Sequence, residues 1–162
     1  MKVQSLMSKK ILVCGFEESL STAAQLMWDG DCGAIPVMDH NGKAIGMITD
    51  RDICMATYTQ GLPPQAIAVK TAMSRELVAC APTDTVAQAE RLMRDHKIRR
   101  LPVIDEHGDL VGLLSLNDLA LQFGREKLSR QKEVRGSELA ETLAAVCQPR
   151  PMLLPTAAVA AA

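Results

Sequence analysis

Short apolar runs alternate along this chain with segments that have the spacing of helices. Three runs have the length and composition of strands: 11–14, 35–38 and 44–48. Two segments between and after them predict helices: 17–29 and 49–58. Pro36 suggests that the second strand lies at a sheet edge or that it begins there. The order strand, helix, strand, strand, helix predicts a mixed α/β (α+β) unit.

The same order returns 66 residues later without an insertion or a deletion. The repeated strands are predicted at 77–80, 100–104 and 110–114, and the repeated helices at 84–96 and 115–123. Ile35–Asp39 aligns with Leu101–Asp105, and Gly46–Asp52 aligns with Gly112–Asp118. Self-similarity at a fixed period indicates a tandem repeat. A unit of about 60 residues buries little surface, so we expect the two units to pack on each other.

The repeat divides the chain into four parts. We predict a first unit at 1–66, a second at 67–124, a helical extension at 125–148 and a disordered tail at 149–162. A Gly and two Pro at 59–66 are typical of a linker. The basic stretch 125–135 indicates a solvated helix face, or alternatively a surface for an anion or a partner.

The motif that ends each unit is a glycine, two apolar residues, a hydroxyl residue and, three residues later, an aspartate. Thr49 and Ser115 stand where a helix begins, and Asp52 and Asp118 follow at the spacing of a capping box. Aspartate is shorter than the Glu or Gln that this box prefers. The alternative reading is a ligand site, because a helix start suits a phosphate and a carboxylate can accept hydrogen bonds from a ribose diol.

Composition excludes several classes of function. The net charge of −1 gives no general attraction to nucleic acid or to an anionic membrane. The basic segment 91–100 has no interleaved aromatic residues for base stacking, which argues against nucleic acid. The three histidines lie in turns or at a helix end, so we expect no metal site. No nucleophile–base arrangement is visible, so we expect no enzyme.

The expected location is the cytoplasm. Five widely spaced cysteines indicate small buried residues in a reducing compartment. The N-terminus lacks a secretory apolar region, and no apolar run approaches the ~20 residues of a membrane span. Since aromatic residues are scarce, we expect a core of Leu, Ile, Val, Met and Ala.

These residues together resemble a tandem pair of CBS domains, also called a Bateman module. The resemblance covers about residues 1–124 and depends on the apolar-Pro-Val-apolar-Asp strand, the glycine-bearing turn and the repeated motif, each present twice in order. It implies two pseudo-symmetric β-α-β-β-α units that pack through their sheets. It also implies a sensor that binds an adenosine compound in clefts between the repeats: AMP, ADP, ATP, NAD or S-adenosylmethionine.

The resemblance assigns roles to particular residues. Asp52 and Asp118 match the ribose-binding position, and Thr49 and Ser115 match the hydroxyl position beside the ribose or phosphate. Arg100 matches a phosphate-binding position, whose equivalent in the first unit is Ala34. The walls of the two base pockets would come from the opposite unit: Leu12, Cys32 and Gly33 for the second motif, and Ala79, Ile98 and Arg99 for the first.

The predicted function is therefore a non-enzymatic sensor of adenine nucleotides with no catalytic cofactor. We expect it to form a homodimer and to signal to that dimer or to an unidentified effector protein. The alternative is a ligand-independent interaction or scaffold module, in which the repeated motif only caps helices.

Overall fold

Each half of the chain builds a small sheet with two helices on it, in a computed structural model that describes residues 1–126 and 134–148. The first half contains β1 (Cys14–Gly15), α1 (Leu20–Asp29), β2 (Ala34–Met38), β3 (Ala44–Thr49) and α2 (Asp50–Gln60). The second half contains α3 (Val86–His96), β4 (Arg100–Ile104), β5 (Leu110–Ser115) and α4 (Leu116–Glu126). The repeated mixed α/β plan is thus confirmed.

A further helix, α5 (Gly136–Cys147), follows the second half, as the predicted helical extension requires. Short 3-10 turns occupy Val3–Ser5, Pro64–Ala66 and Val69–Thr71. The predicted disordered tail at 149–162 and most of the basic stretch 125–135 lie outside the described residues.

The first strand of each unit is much shorter than its apolar run. The predicted strand 11–14 is reduced to β1, and the predicted strand 77–80 to a single bridge between Cys80 and Val103. Both pair in parallel, with β1 opposite Val37 and Met38. Continuing either ladder one step towards the N-terminus would require an N–H from Pro36 or Pro102, which proline lacks. The prolines therefore stop the pairing at the two cysteines.

β2 lies in the middle of its sheet, between β1 and β3, so the expected edge position is wrong for this strand. Its antiparallel partner β3 places Ala34 opposite Thr49, and the second half repeats the register with Arg100 opposite Ser115. Gly42 and Gly108 close the two hairpins with φ of 73° and 78°, a region that favours glycine. Ala34 and Arg100 occupy equivalent positions but differ in charge. Each is paired across the strands with the hydroxyl residue of its own motif, Thr49 or Ser115.

The segment that leads into each unit packs on the other unit. Val3 belongs to the core of the second half and Val69 to the core of the first, and both are fully buried. The N–H of Val3 donates to the carbonyl of Asp84 at 2.8 Å, and the N–H of Val69 donates to the carbonyl of Glu18 at 2.8 Å. Contacts that exchange partners under the 66-residue offset are those of an approximate two-fold axis.

Two glycines allow these lead-in segments to lie against the strands. A Cβ on Gly46 of β3 would stand 2.7 Å from the carbonyl oxygen of Ser74, and one on Gly112 of β5 would overlap the side chain of Met7. The N–H of Ser74 donates to the carbonyl of Met47, and the N–H of Ser8 to the carbonyl of Leu113. The motif therefore has glycine at this position in both units, because the lead-in segment of the other unit packs directly on the strand there.

The two cores are aliphatic, as predicted, and each contains one cysteine. Burial raises the pKa of the Cys14 thiol to about 11 and that of the Cys80 thiol to about 12. Both thiols therefore stay protonated at neutral pH. The expectation that all five cysteines are buried is wrong, because Cys54 and Cys147 are exposed.

The helix α5 covers the second half and has no counterpart over the first half in the described residues. Its buried residues Leu139, Thr142 and Val146 face the core around α3. The guanidinium of Arg94 on α3 donates to the hydroxyl of Thr142 at 3.0 Å. Glu90 on the same face is only 1 % exposed.

Candidate functional site

The repeated motif forms a complete capping box at the start of α2. The Oδ2 atom of Asp52 accepts from the N–H of Thr49 at 3.0 Å and from its hydroxyl at 2.6 Å. The N–H of Asp52 donates to the hydroxyl oxygen of Thr49 at 3.1 Å. Aspartate is therefore long enough to close this box, contrary to the concern raised by its length.

The second motif repeats this geometry at the start of α4. Oδ2 of Asp118 accepts from the N–H of Ser115 at 2.8 Å and from its hydroxyl at 2.6 Å. The N–H of Asp118 donates to the hydroxyl oxygen at 3.3 Å. Within residues 1–126 and 134–148, no hydrogen bond engages Oδ1 of Asp118 or of Asp52. Each carboxylate thus caps its helix with one oxygen and retains the other as an acceptor.

The second motif opens onto a cleft of about 290 Å³, which we call the Asp118 cleft. The lead-in segment, the loop between α1 and β2, and the ends of β4 and β5 supply its lining. The lining residues are Ser8, Lys10, Ile11, Leu12, Gly30, Asp31, Cys32, Ala34, Ile35, Arg100, Leu113, Ser115, Asn117 and Asp118. The structure therefore brings together five of the residues predicted for this site: Leu12, Cys32, Arg100, Ser115 and Asp118.

Arg100 is the half-buried cation of the Asp118 cleft. In the part of the chain that the structure describes, its guanidinium forms neither an ion pair nor a hydrogen bond. A partly desolvated guanidinium is stabilised by an anion, and its planar fork of donors matches phosphate or carboxylate. Lys10 stands at the exposed rim of the same cleft and adds a second positive charge.

The first motif lacks both of these cations. Its positions equivalent to Arg100 and Lys10 are Ala34 and Glu76. Thr49 and Asp52 are half-buried, and neither of the two clefts described here includes them. The first motif therefore has the same aspartate acceptor for a ribose as the second, but a neutral and an acidic residue replace the two cations.

The remaining wall residues predicted for the first motif also lie outside both clefts. Ala79 and Ile98 are half-buried, while Arg99 is exposed and its carbonyl accepts the N–H of Leu116 at 2.9 Å. Under the 66-residue offset the counterpart of Leu12 is Val78, the neighbour of Ala79. Their assignment to a base pocket stays a prediction.

A second cleft of about 500 Å³ lies between α1 and α2, and we call it the Trp28 cleft. Its lining is Ala24, Met27, Trp28, Asp31, Cys32, Gly33, Asp50, Ile53 and Arg100. Gly33, predicted as a wall of the Asp118 cleft, lines this one instead. A Cβ on Gly33 would stand 2.8 Å from Oδ2 of Asp50, so glycine lets that carboxylate approach the loop.

Sequence reasoning missed Lys10, Trp28, Asp31 and Asp50 as cleft residues. Lys10 had a signal, because it directly precedes a predicted strand that carries a site residue. The others lie in the first unit but border Arg100 of the second, and no sequence periodicity reports that contact. In the described residues there is no group of three or more His, Cys, Asp or Glu side chains able to hold a metal ion.

The family model for the CBS domain matches this chain twice, at residues 3–58 and 69–123. The chain belongs to the CBS domain family. The matched ranges contain the motifs on which the resemblance was based, and they reproduce the tandem repeat. The chain contains a CBS domain pair, which is a regulatory module.

Two relatives align with this chain over most of their own length. CBS domain-containing protein YhcV of Bacillus subtilis is 40% identical over 119 residues, which are 74% of this chain and 83% of that protein. Hypoxic response protein 1 of Mycobacterium tuberculosis is 31% identical over 117 residues, covering 72% of this chain and 81% of that protein.

Solved structures share the fold. Hypoxic Response Protein I, with two coordinated zinc ions, matches with a TM-score of 0.68 and 29% identity over 75% of this chain and 98% of its own. The CBS domain pair of MJ0100, in complex with 5'-methylthioadenosine and S-adenosyl-L-methionine, matches with a TM-score of 0.70 and 23% identity. That match covers 78% of this chain and 98% of the MJ0100 chain. Among the described helices of the present chain, none has the length and apolar character needed to cross a membrane.

Proposed function

We propose that this CBS pair is a non-enzymatic sensor that binds a phosphorylated adenosine compound in the Asp118 cleft. The observation that carries the proposal is the half-buried Arg100, which has no ionic partner in the described residues and shares a cleft with the free Oδ1 of Asp118. The Asp118 carboxylate would accept hydrogen bonds from the two ribose hydroxyls, and the Arg100 guanidinium would bind phosphate. That the MJ0100 pair binds S-adenosyl-L-methionine and 5'-methylthioadenosine supports an adenosine ligand.

The charges around the two motifs predict which ligands bind more tightly and which motif binds them. AMP, ADP, ATP and NAD all carry phosphate, whereas S-adenosylmethionine brings only a carboxylate to Arg100. We therefore expect nucleotides to bind more tightly than S-adenosylmethionine. We also expect the first motif, with Ala34 and Glu76 in place of the two cations, to bind more weakly than the second.

Calorimetric titration with AMP, ATP and NAD tests this proposal. A charge-assisted hydrogen bond contributes roughly 1.5–3 kcal/mol, so Arg100→Ala should weaken binding by about one to two orders of magnitude. Asp118→Ala should weaken it as well, and Asp52→Ala is the matched control that removes the equivalent carboxylate of the first motif. Binding of folded Arg100→Ala and Asp118→Ala with unchanged affinity would contradict the proposal.

The second candidate is a ligand-independent interaction module. The closed capping boxes favour it, because helix capping alone accounts for Thr49, Asp52, Ser115 and Asp118. Thermal melting separates the two functions. Ligand at 100 times its dissociation constant adds about 2.7 kcal/mol of stability, which appears as a higher melting temperature, whereas a scaffold would not respond.

We further propose that the module works as a homodimer and signals occupancy to that dimer or to an effector protein. Met55 and Tyr58 lie on one face of α2 and are 47% and 81% exposed, and Leu121 of α4, the counterpart of Met55, is 53% exposed. A second copy would cover these apolar side chains of α2 and α4. Light scattering should show a dimer at micromolar concentrations, and a monomer with and without nucleotide would contradict this.

The cytoplasmic location stays a prediction that cell fractionation can test.

A further inference from the structure

The Trp28 cleft and the Asp118 cleft are neighbours. They share the lining residues Asp31, Cys32 and Arg100, so Arg100 borders both clefts. The Asp118 cleft alone, at about 290 Å³, lies at the lower limit of ligand pockets, which run from about 300 to 1,000 Å³. A ligand held by Asp118 and Arg100 would therefore lie next to the larger cleft.

The balance of charge differs between the two clefts. The Asp118 cleft is lined by two cations, Lys10 and Arg100, and two carboxylates, Asp31 and Asp118. Among the residues that line the Trp28 cleft, Arg100 is the one cation, and Asp31 and Asp50 are acidic. A chain of phosphates that passed Arg100 would meet these carboxylates and no further cation of the lining. A group that is uncharged or cationic would not be repelled, so the ligand's far end should carry no further phosphate.

The walls of the Trp28 cleft suit a flat ring with a sugar. Trp28, which is 82% exposed, offers the face of an indole, and Met27 and Ile53 add apolar surface. Aromatic side chains stack with any base, and the indole face also attracts a cationic ring. Oδ1 of Asp50 accepts the N–H of Arg51 at 2.7 Å, while its Oδ2 makes no hydrogen bond within the described residues and can accept from a second ribose.

In the second half, α5 lies over the equivalent positions. The counterparts of Ala24 and Trp28 are Glu90 and Arg94. Glu90 is buried beneath α5, and Arg94 donates to Thr142 of that helix. The open surface at Ala24 and Trp28 is therefore not repeated at their counterparts.

We propose that the two neighbouring clefts together bind one dinucleotide, with adenosine in the Asp118 cleft, the pyrophosphate at Arg100 and the second nucleoside against Trp28. The inference rests on the proposed function and narrows its ligand class. Adenosine monophosphate fills the smaller cleft only. A dinucleotide uses both clefts and places its anionic link where the shared cation lies.

Trp28 is the only tryptophan in the chain, so its fluorescence reports directly on the second cleft. The probes are AMP, ADP, ADP-ribose, which has the pyrophosphate and second ribose but no second base, and NAD⁺. We expect NAD⁺ to bind tightest and to quench Trp28, and AMP to leave the emission unchanged. Asp118→Ala keeps Trp28 but loses the ribose acceptor, so it should show only the weak collisional quenching of free NAD⁺.

Two variants measure the stacking. Trp28→Ala should lower the ratio of NAD⁺ affinity to AMP affinity by about 5- to 100-fold, the range expected for one stacked base. Tyr58→Ala removes an equally exposed aromatic residue of α2 that lies outside both clefts, and should leave this ratio unchanged.

The outcomes separate the two proposals. If AMP and ADP bind but NAD⁺ binds no more tightly than ADP and Trp28 is not quenched, the dinucleotide inference is wrong and the proposed function stands. If none of the four probes binds the folded protein, both are wrong. If Trp28 emission shifts with protein concentration in the absence of nucleotide and NAD⁺ then fails to change it, a second copy occupies the cleft and the inference is also wrong.

Discussion

The outer face of α1 in the first half is open to solvent, whereas the equivalent face of α3 in the second half is covered by α5. At equivalent positions the open face carries Ala24 and Trp28, and the covered face carries Glu90 and Arg94. The strands, turns and capping boxes beneath these faces are nearly identical. The difference teaches that the repeat preserves the backbone, and that each half acquires its own binding surface through a few side chains and one added helix.

Loss of the packing of α5 on the second half should cause the largest decrease in the free energy of unfolding. Leu139→Ala removes a side chain of α5 that is only 7% exposed, and such truncations cost about 2–5 kcal/mol. Leu143→Ala on the same helix, where the side chain is 43% exposed, should change stability by no more than about 0.5 kcal/mol. Urea denaturation measures both, and equal costs would show that α5 does not pack in this orientation.

Gly46 and Gly112 each lie under the lead-in segment of the other unit, so substitution of these two glycines compares how tightly the two segments are packed. Gly46→Ala forces a methyl group against the backbone carbonyl of Ser74 and should cost about 1–3 kcal/mol. Gly112→Ala meets Sδ, Cγ and Cβ of Met7, so the clash reaches the base of that side chain and the cost should be similar.

The control for this pair is Gly124→Ala in α4, where no atom lies within 4 Å of the added methyl group. It should stabilise the protein by about 0.5–1 kcal/mol, because alanine favours helix. Chemical denaturation gives all three values. A larger cost for Gly112→Ala than for Gly46→Ala would mean that Met7 is held more rigidly than Ser74.

Glu90 makes the covered half sensitive to pH. Burial beneath α5, with Glu138 adding to it, raises the pKa of the Glu90 carboxyl above its usual range. The folded state then binds this proton more tightly than the unfolded state, so stability falls as pH rises from about 4.5, the ordinary pKa, through the folded pKa. Below that range the carboxyl is protonated in both states and contributes no pH dependence.

Glu90→Gln should therefore stabilise the protein at pH 8, by about 1–3 kcal/mol for a buried group without a full set of partners, and have little effect at pH 4. Denaturation curves across this range measure the effect. Glu76→Gln, which changes an exposed carboxyl that does not act on Glu90, is the control and should follow wild type. An unchanged pH slope for Glu90→Gln would show that the carboxyl reaches solvent.

The capping boxes should give the smallest and most equal effects. Thr49→Ala and Ser115→Ala each remove an N-cap hydroxyl, which costs about 1 kcal/mol. Because the two boxes have the same hydrogen bonds, thermal melting should give similar losses. A clearly larger loss for one variant would show that its hydroxyl has a structural role beyond the cap.

The sequence alone determined the repeat, the element order and the capping motifs. Each of these depends on residues close to one another in the chain, such as the hydroxyl of Ser115 and the carboxylate of Asp118, so spacing reports them directly. The grouping of Leu12 and Cys32 with Ser115 came from the family resemblance, and the Asp118 cleft brings these residues together.

Only the tertiary structure decided features that depend on distant residues. The strands at Cys14 and Cys80 end early because prolines on the neighbouring strands lack the N–H that would continue the ladder. Each lead-in segment completes the opposite core, since Val3 and Val69 are buried only across the interface. Arg100 likewise lines one cleft with Trp28 and another with Asp118, residues that are 90 positions apart in the chain, and no local pattern encodes that arrangement.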